Sequence, residues 1–267
     1  MKPEENKFAD VPLRVKTWIY IILVFALGIS HPLAMKFFVS WISFQSFFEF
    51  LRLFKINSNR IIPSLFVGVA QFFLLYFFTI ENYFIYSVIL SVIVLLYFFL
   101  LKIPLKQLYG VFTALLVCLF AFPHLSFIRD TVSGLNSIIF IVVVTELNDV
   151  FQYLMGKFFG NHKITPKISP NKTLEGFIGG VFLTIILSNI LGFFLLKTDI
   201  WVNTILGTVL GISGFFGDVF MSYLKRKANI KDTGTLLPGH GGLLDRMDSL
   251  IFNAPIFFWI LSLLVKS

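Results

Sequence analysis

Charge is what this chain has least of. Only 13% of its 267 residues are charged and 57% are hydrophobic, against roughly 25% and 45–50% in an average soluble domain. A water-soluble fold of this size cannot bury so much apolar surface and still present a charged exterior, so the surplus must face lipid. Cysteine is nearly absent. Cys118, in an apolar run, is the only one, which excludes an internal disulfide and a cysteine-cluster metal site and leaves it a packing role. No GxxxxGK[ST] run is present, so a P-loop nucleotide site is not supported. No cleavable signal peptide is evident either: the first sixteen residues are polar, and the apolar run after them leads into more membrane sequence. The composition also rules out disorder and collagen.

What is abundant is phenylalanine, 35 residues against eight Tyr and four Trp. Most of the aromatic surface therefore has no hydrogen-bonding tip and suits hydrocarbon. With about 20 apolar residues per crossing as the yardstick, nine candidate spans emerge: 18–29, 33–51, 61–79, 83–101, 109–122, 134–154, 176–196, 201–221 and 247–265. The first two are short or interrupted, and one span plus an interfacial helix is the alternative there. The expected fold is an all-α polytopic bundle of about nine transmembrane helices, with N-terminal helices over 1–133 and a catalytic region over 134–267.

Basic residues fix the orientation, because cytoplasmic loops carry the Lys and Arg excess. With the N-terminus inside, the five inside segments hold eighteen of the 22 basic residues; the outside holds Arg129, Lys197 and Lys266, and Lys36 lies within the second span. This predicts a cytoplasmic N-terminus, an external C-terminus and an odd number of spans. The formal charge of +8 thus marks topology, and the dispersion of the basic residues argues against nucleic acid as a partner.

Ionisable groups beside membrane helices are costly and tend to mark sites. Glu146, Asp149, Asp218, Asp245 and Asp248 all fall near cytoplasmic ends of spans six, eight and nine, so one cytosol-facing cavity can receive them. Asp245 and Asp248 share a helical face if Asp245 begins the ninth helix, roughly 5–6 Å apart at Cβ. Helix capping explains that pair equally well. Asp218 lies in an apolar stretch where solvation is no explanation, and oxygen-only acids favour a hard cation such as magnesium. Gly207, Gly211 and Gly214, ahead of it at helical spacing, are expected to allow close helix packing. The run 237–242, with three glycines and Pro238, reads as a non-helical loop whose amides suit phosphate oxygens. Lys225, Arg226, Lys227 and Lys231 precede it. Acids, cations and backbone donors are the requirements of polyphosphate chemistry, although a basic cluster beside a membrane also contacts anionic headgroups.

From Ser222-Tyr-Leu-Lys-Arg226 through Lys231-Asp-Thr-Gly234 to Leu237-Pro-Gly-His-Gly-Gly-Leu-Leu-Asp-Arg-Met-Asp248, 27 positions in all, the chain resembles the CDP-diacylglycerol synthases, or phosphatidate cytidylyltransferases. A second match covers Lys167-Ile-Ser-Pro-Asn-Lys-Thr-Leu-Glu-Gly176. The resemblance implies a magnesium-dependent transfer of a cytidylyl group from CTP to phosphatidic acid, giving CDP-diacylglycerol and pyrophosphate, at the cytosolic face of a bacterial inner membrane. By analogy Asp218, Asp245 and Asp248 hold the metal. Lys225, Arg226 and Arg246 contact phosphates, and His240, Gly241 and Gly242 bind CTP or the lipid phosphate. Ser222, Lys231 and Asp232 from the same motif, Lys167, Ser169, Lys172, Thr173 and Glu175 from the preceding loop, and Asp149 complete the substrate site. His240 is assigned to binding, because the acceptor phosphate is already an anionic nucleophile. Membrane lipid is the other expected partner, and a homodimer is left open.

Two departures stand out. The family's Asp-Ser/Thr-Gly/Ala-Ala-Tyr run is Asp149-Val-Phe-Gln-Tyr153 here, and Leu174 replaces the usual Trp. Both bear on the acceptor lipid more than on the nucleotide chemistry. The rival readings are another cytosol-facing lipid enzyme, kinase-like or acting on a different lipid phosphate, and an ion-coupled transporter. The first kind, if a kinase, releases a nucleoside diphosphate. A transporter's sites lie near the midplane at broken helices, whereas here the acids cluster at one cytoplasmic rim and no paired repeat with corresponding interruptions is visible in the two halves.

Overall fold

The computed structural model describes residues 11–238 and 241–264. The chain is mostly helical. The N-terminal half comprises α1 (Val11–Ser30), α2 (Pro32–Leu53), α3 (Ile61–Phe77), α4 (Ile80–Leu100), α5 (Leu105–Leu115) and α6 (Pro123–Arg129), the last two joined by a π-helical turn at Leu116–Ala121. The C-terminal half comprises α7 (Gly134–Phe159), strands β1 (Lys163–Thr165) and β2 (Ser169–Thr173), α8 (Leu174–Leu191) with a π-helical extension to Leu196, α9 (Ile200–Lys227), the single turn α10 (Leu244–Met247) and α11 (Leu250–Leu264).

The first eight expected spans overlap these helical rods, while the ninth, 247–265, coincides with α11 only over 250–264, its residue 265 lying outside the described residues. Five rods are long and apolar enough to cross a membrane: Ile80–Leu100, Leu105–Arg129, Gly134–Phe159, Leu174–Leu196 and Ile200–Lys227. Ile19–Ser30, Ile61–Phe77 and Leu250–Leu264 are shorter apolar helices. The molecule is an integral membrane protein. Helix ends follow local chemistry: Lys55, Lys102, Lys197 and Asn229 take positive φ just past a helix, the left-handed conformation that ends helices by closing on free carbonyls.

The α5–α6 rod is central, with 78% of its apolar window buried against 28% for α4 and 22% for Leu174–Leu196. Its π turn frees carbonyls that must be paired away from water. Cys118 O accepts from Ser43 Oγ (3.0 Å) and Gln71 Nε2 (2.9 Å), and Leu119 O accepts from Tyr83 Oη (3.1 Å). The Cys118 thiol is buried and free.

Helices α7, α8, α9 and α11 pack through small residues and amides. At Gly207 an added Cβ would come within 2.8 Å of Ile185 Cα, so the glycine permits the α8–α9 approach. Asn253 Nδ2 donates to Thr145 Oγ1 (2.8 Å), Ser213 Oγ to Asn253 Oδ1 (2.5 Å) and Thr184 Oγ1 to Asn148 Oδ1 (2.9 Å). Such bonds contribute about 0.6–2 kcal/mol each between membrane helices.

Contacts between connections sort them into two ends. At one end Arg129 Nε donates to Ile29 O (2.8 Å), Lys36 pairs with Asp130 (2.7 Å), and Asn136 Nδ2 donates to Leu195 O (3.1 Å). At the other, Gln107 Nε2 donates to Lys55 O (3.1 Å), Thr17 Oγ1 to Pro238 O (3.1 Å), and Arg226 Nε to Ile168 O (3.2 Å). The second end gathers the basic loops.

Two local expectations need correction. The connection after α7 is an antiparallel hairpin, Lys163 opposite Thr173 and Thr165 opposite Ser169, so the fold is not purely helical. Pro166 and Pro170 bar a helix there, while Thr165 and Thr173 favour extended backbone. Asp245 does not begin the last long helix. It lies in α10, and α11 starts at Leu250.

Candidate active site

Helix α9 presents Asp218, Ser222, Lys225 and Arg226 at offsets of zero, four, seven and eight, one face of a helix. Ser222 Oγ donates to Asp218 Oδ1 (3.2 Å), and Lys172 Nζ reaches Asp218 Oδ2 at 2.7 Å from strand β2. The same ammonium stands 4.5 Å from the centroid of the Phe215 ring. Arg226 holds the hairpin turn through Ile168 O and reaches Ile230 O with Nη1 (3.2 Å). Arg226 therefore ties the hairpin to the end of α9.

Between hairpin and helices lies a cavity of about 160 Å³, lined by Asp149, Gln152, Tyr153, Ser169, Lys172, Thr173, Phe215 and Asp218 among others. Thr173 is 2% exposed and caps α8 by accepting from Gly176 N (3.1 Å). Glu175 faces the other way, accepting from the Asn161 and His162 amides and from His162 Nδ1 (2.6 Å). Lys167, at the hairpin tip, is exposed and outside the cavity lining.

Across α9 stands the glycine loop. Lys225 Nζ pairs with Asp245 Oδ1 at 2.8 Å, their side chains 11% and 7% exposed. Asp245 Oδ2 accepts from Thr233 N (2.8 Å), Thr233 Oγ1 (3.0 Å) and Gly242 N (2.9 Å). Burial alone would raise the Asp245 carboxyl, but the Lys225 hydrogen bond and charge, with the two amides, hold it below its usual range. Gly241 has φ +87°, and a Cβ there would meet Asp245 Oδ2 at 2.6 Å, so this turn requires glycine. Lys231 and Asp232 are exposed ahead of it, and Arg246 is half-buried in α10. His240 lies outside the described residues.

The acids are arranged differently from the expected triad. Among the described residues no three His, Cys, Asp or Glu side chains gather as a metal cage. Asp245 is surrounded by its own donors, whereas Asp218 and Asp149 are near enough to Asp248 to act on it electrostatically, opposed by Lys225. Asp149 in turn feels Asp218, Lys172 and Glu146. Asp248 Oδ1 accepts from Ser249 N (2.9 Å) and Asp149 Oδ2 from Ser249 Oγ (3.0 Å). Asp149 Oδ1 is buried without a hydrogen-bond partner.

Sequence reasoning missed Glu49. It is 1% exposed near the end of α2, and its carboxylate accepts from Thr233 Oγ1 (2.9 Å), Leu243 N (2.9 Å) and Leu244 N (3.0 Å). Its flanks, Phe47, Phe48, Phe50 and Leu51, make it an acid at an apolar span end, the criterion that selected the other five. Glu49 and Asp245 together also change the reading of the loop: the Gly242 amide, in the 237–242 run expected to face phosphate, is directed at Asp245, and the Leu243 and Leu244 amides that follow it are directed at Glu49. Gly242 thus serves close packing, since a Cβ there would stand 2.5 Å from Glu49 Oε2.

A model of the cytidylyltransferase family matches residues 13–264. An uncharacterized protein of Escherichia coli, YnbB, is 38% identical over 96% of this chain and 89% of its own length. Two relatives named phosphatidate cytidylyltransferase align over shorter stretches. That of Staphylococcus haemolyticus is 43% identical over 46% of this chain and 48% of its own length; that of Staphylococcus aureus is 37% identical over 62% and 65%. The buried carboxylates, paired lysines and glycine loop thus lie within a match that runs through both halves of the molecule, and the chain belongs to the cytidylyltransferase family.

Proposed function

We propose that the protein transfers a cytidylyl group from CTP to the phosphate of phosphatidic acid, yielding CDP-diacylglycerol and pyrophosphate. The observation that carries this reading is the convergence of Asp149, Asp218 and Asp248 with Lys172 and Lys225 at the end of the bundle where the basic loops meet. A phosphate oxygen of the acceptor attacks the α-phosphorus of CTP. The new P–O bond forms as the bond to the bridging oxygen of the β-phosphate breaks, and pyrophosphate carries away the electron pair. No proton has to be removed from the nucleophile, so the site needs positioning and charge compensation more than a general base.

Lys172 sits on the hairpin at the cavity edge and can exchange Asp218 for a phosphate oxygen. Lys225, held by Asp245, contacts the β- and γ-phosphates of bound CTP and stays with them as pyrophosphate departs. Magnesium commonly takes one or two carboxylates, completing its shell with water and substrate phosphates. Asp218 and Asp248 fit that need, and Asp149 Oδ1, buried without a hydrogen-bond partner, stands beside them as a further oxygen. When bound, the ion supplies charge neutralisation on the triphosphate. The same proposal takes the chain to cross a bacterial inner membrane nine times from a cytosolic N-terminus, an orientation supported by the Lys and Arg excess of the loops at this end and one that gives CTP access to the site.

A related acceptor is the second reading, favoured by Gln152 in the cavity lining. Purified protein incubated with CTP, magnesium and a panel of lipid phosphates separates the two. Phosphatidic acid is expected to give the highest kcat/KM. A clear preference for another lipid phosphate would transfer the same chemistry to that acceptor, and no turnover with any of them would overturn the reading.

A further inference from the structure

We propose that Glu49, on the second helix of the N-terminal half, is a positioning residue of the nucleotide site: it sets the conformation of the glycine loop that holds Lys225 through Asp245. The inference rests on the cytidylyl-transfer reading for its kinetic consequence, though its structural basis is independent of the reaction.

Two chain segments that flank the loop converge on two carboxylates. Thr233 presents its hydroxyl to Glu49 Oε2 (2.9 Å) and to Asp245 Oδ2 (3.0 Å). A hydroxyl has one proton, so it donates to one carboxylate at a time and couples the two. Leu243 and Leu244, which lead into α10, give their amides to the two oxygens of Glu49, and Gln45 Nε2, one turn earlier on α2, donates to Oε1 at 2.9 Å. The described residues offer Glu49 no cationic partner, so hydrogen bonds alone compensate its burial. A buried carboxylate is costly unless it is well hydrogen-bonded, and taking this one away would leave the Leu243 and Leu244 amides without an acceptor. An acid here is therefore explained by what it orders. If the Glu49 end of this pair moves, Thr233 and the 242–244 backbone move, Asp245 loses donors, and the Lys225 ammonium is no longer fixed beside the site.

Glu49→Gln keeps size but replaces one acceptor oxygen with an N–H₂ facing existing donors. Thr233→Val removes the shared hydroxyl, and Thr233→Ser restores it. KM and kcat are measured for CTP and for the lipid acceptor, and amide hydrogen exchange is followed over 231–248 in the same preparations. Glu49→Gln and Thr233→Val are each expected to raise KM for CTP about tenfold or more, with KM for the lipid little changed, as loss of charge-assisted hydrogen bonds implies. The double variant is expected to be hardly worse than either single one, and Thr233→Ser near the parent. Exchange at Leu243 and Leu244 should accelerate in both damaging variants. A purely structural role would lower the active fraction and hence kcat, with both KM values intact, and that outcome would overturn the proposal, as would unchanged exchange and CTP kinetics. If Glu49→Gln does not fold, the Thr233 pair decides the matter. Should the parent fail to convert CTP, the cytidylyl-transfer reading falls while the exchange data still judge Glu49.

Discussion

Lys172 is anchored on both sides, 2.7 Å from Asp218 and 4.5 Å from the Phe215 ring, so it is presented to the cavity as a fixed charge. Replacing it with Met keeps the chain's reach and removes the cation. Lys172→Met is expected to lower kcat by about 10²–10³-fold, the usual cost of losing one preorganised electrostatic contact to a developing phosphate charge. Steady-state kinetics that show only a raised KM would argue instead for simple substrate binding. Gln152 tests acceptor choice at the same scale. It lines the cavity, and its Nε2 donates to Gly211 O at 3.4 Å. Gln152→Ala should widen the range of lipid phosphates used while KM for CTP stays within about twofold, since no triphosphate contact is removed. At this scale the acids were legible from their position in apolar sequence, because burying charge is expensive wherever it happens. Their partners were not. Nothing local in the sequence says that Asp245 faces inward to Lys225 and Thr233 while Asp149 keeps an unpaired oxygen, since those contacts join residues 12 to 100 positions apart.

Among the elements, the hairpin after α7 is the least expected. Its tip is pinned by Arg226 through Ile168 O, and its second strand delivers Lys172. Arg226→Ala should accelerate proteolysis near Pro166–Ile168 and leave the melting midpoint almost unchanged, because a solvent-accessible bond contributes only about 0.5–1.5 kcal/mol. Equal cleavage rates in parent and variant would show that the hairpin stands without Arg226. The long helices were legible because twenty-residue apolar runs admit little else in lipid. The hairpin was written in Pro166 and Pro170, but two three-to-five-residue strands give no periodicity to compete with a loop reading. The π turn at Leu116–Ala121 was likewise invisible, since it depends on Ser43, Gln71 and Tyr83 from other helices to satisfy its carbonyls.

For the whole molecule, the scarcity of charge becomes an arrangement. Basic loops, the hairpin, the glycine loop and Glu49 share one end of the bundle, and the opposite end is held by Lys36–Asp130 and Arg129. The division at residue 133 is crossed by Glu49, so the N-terminal helices contribute to the site as well as to the membrane anchor. Compartment-sensitive reporters at Ser58 and Thr131 should read cytosolic and external respectively; the reverse would place the site on the wrong side for CTP. The central claim is the bond that breaks, and isotope position tests it most directly. With CTP labelled separately at the α- and γ-phosphorus, magnesium and phosphatidic acid, the account predicts that α-label enters the lipid while γ-label appears in pyrophosphate, and that Asp248→Asn abolishes both. Label from the γ-position in the lipid, with CDP released, would contradict it and identify a kinase.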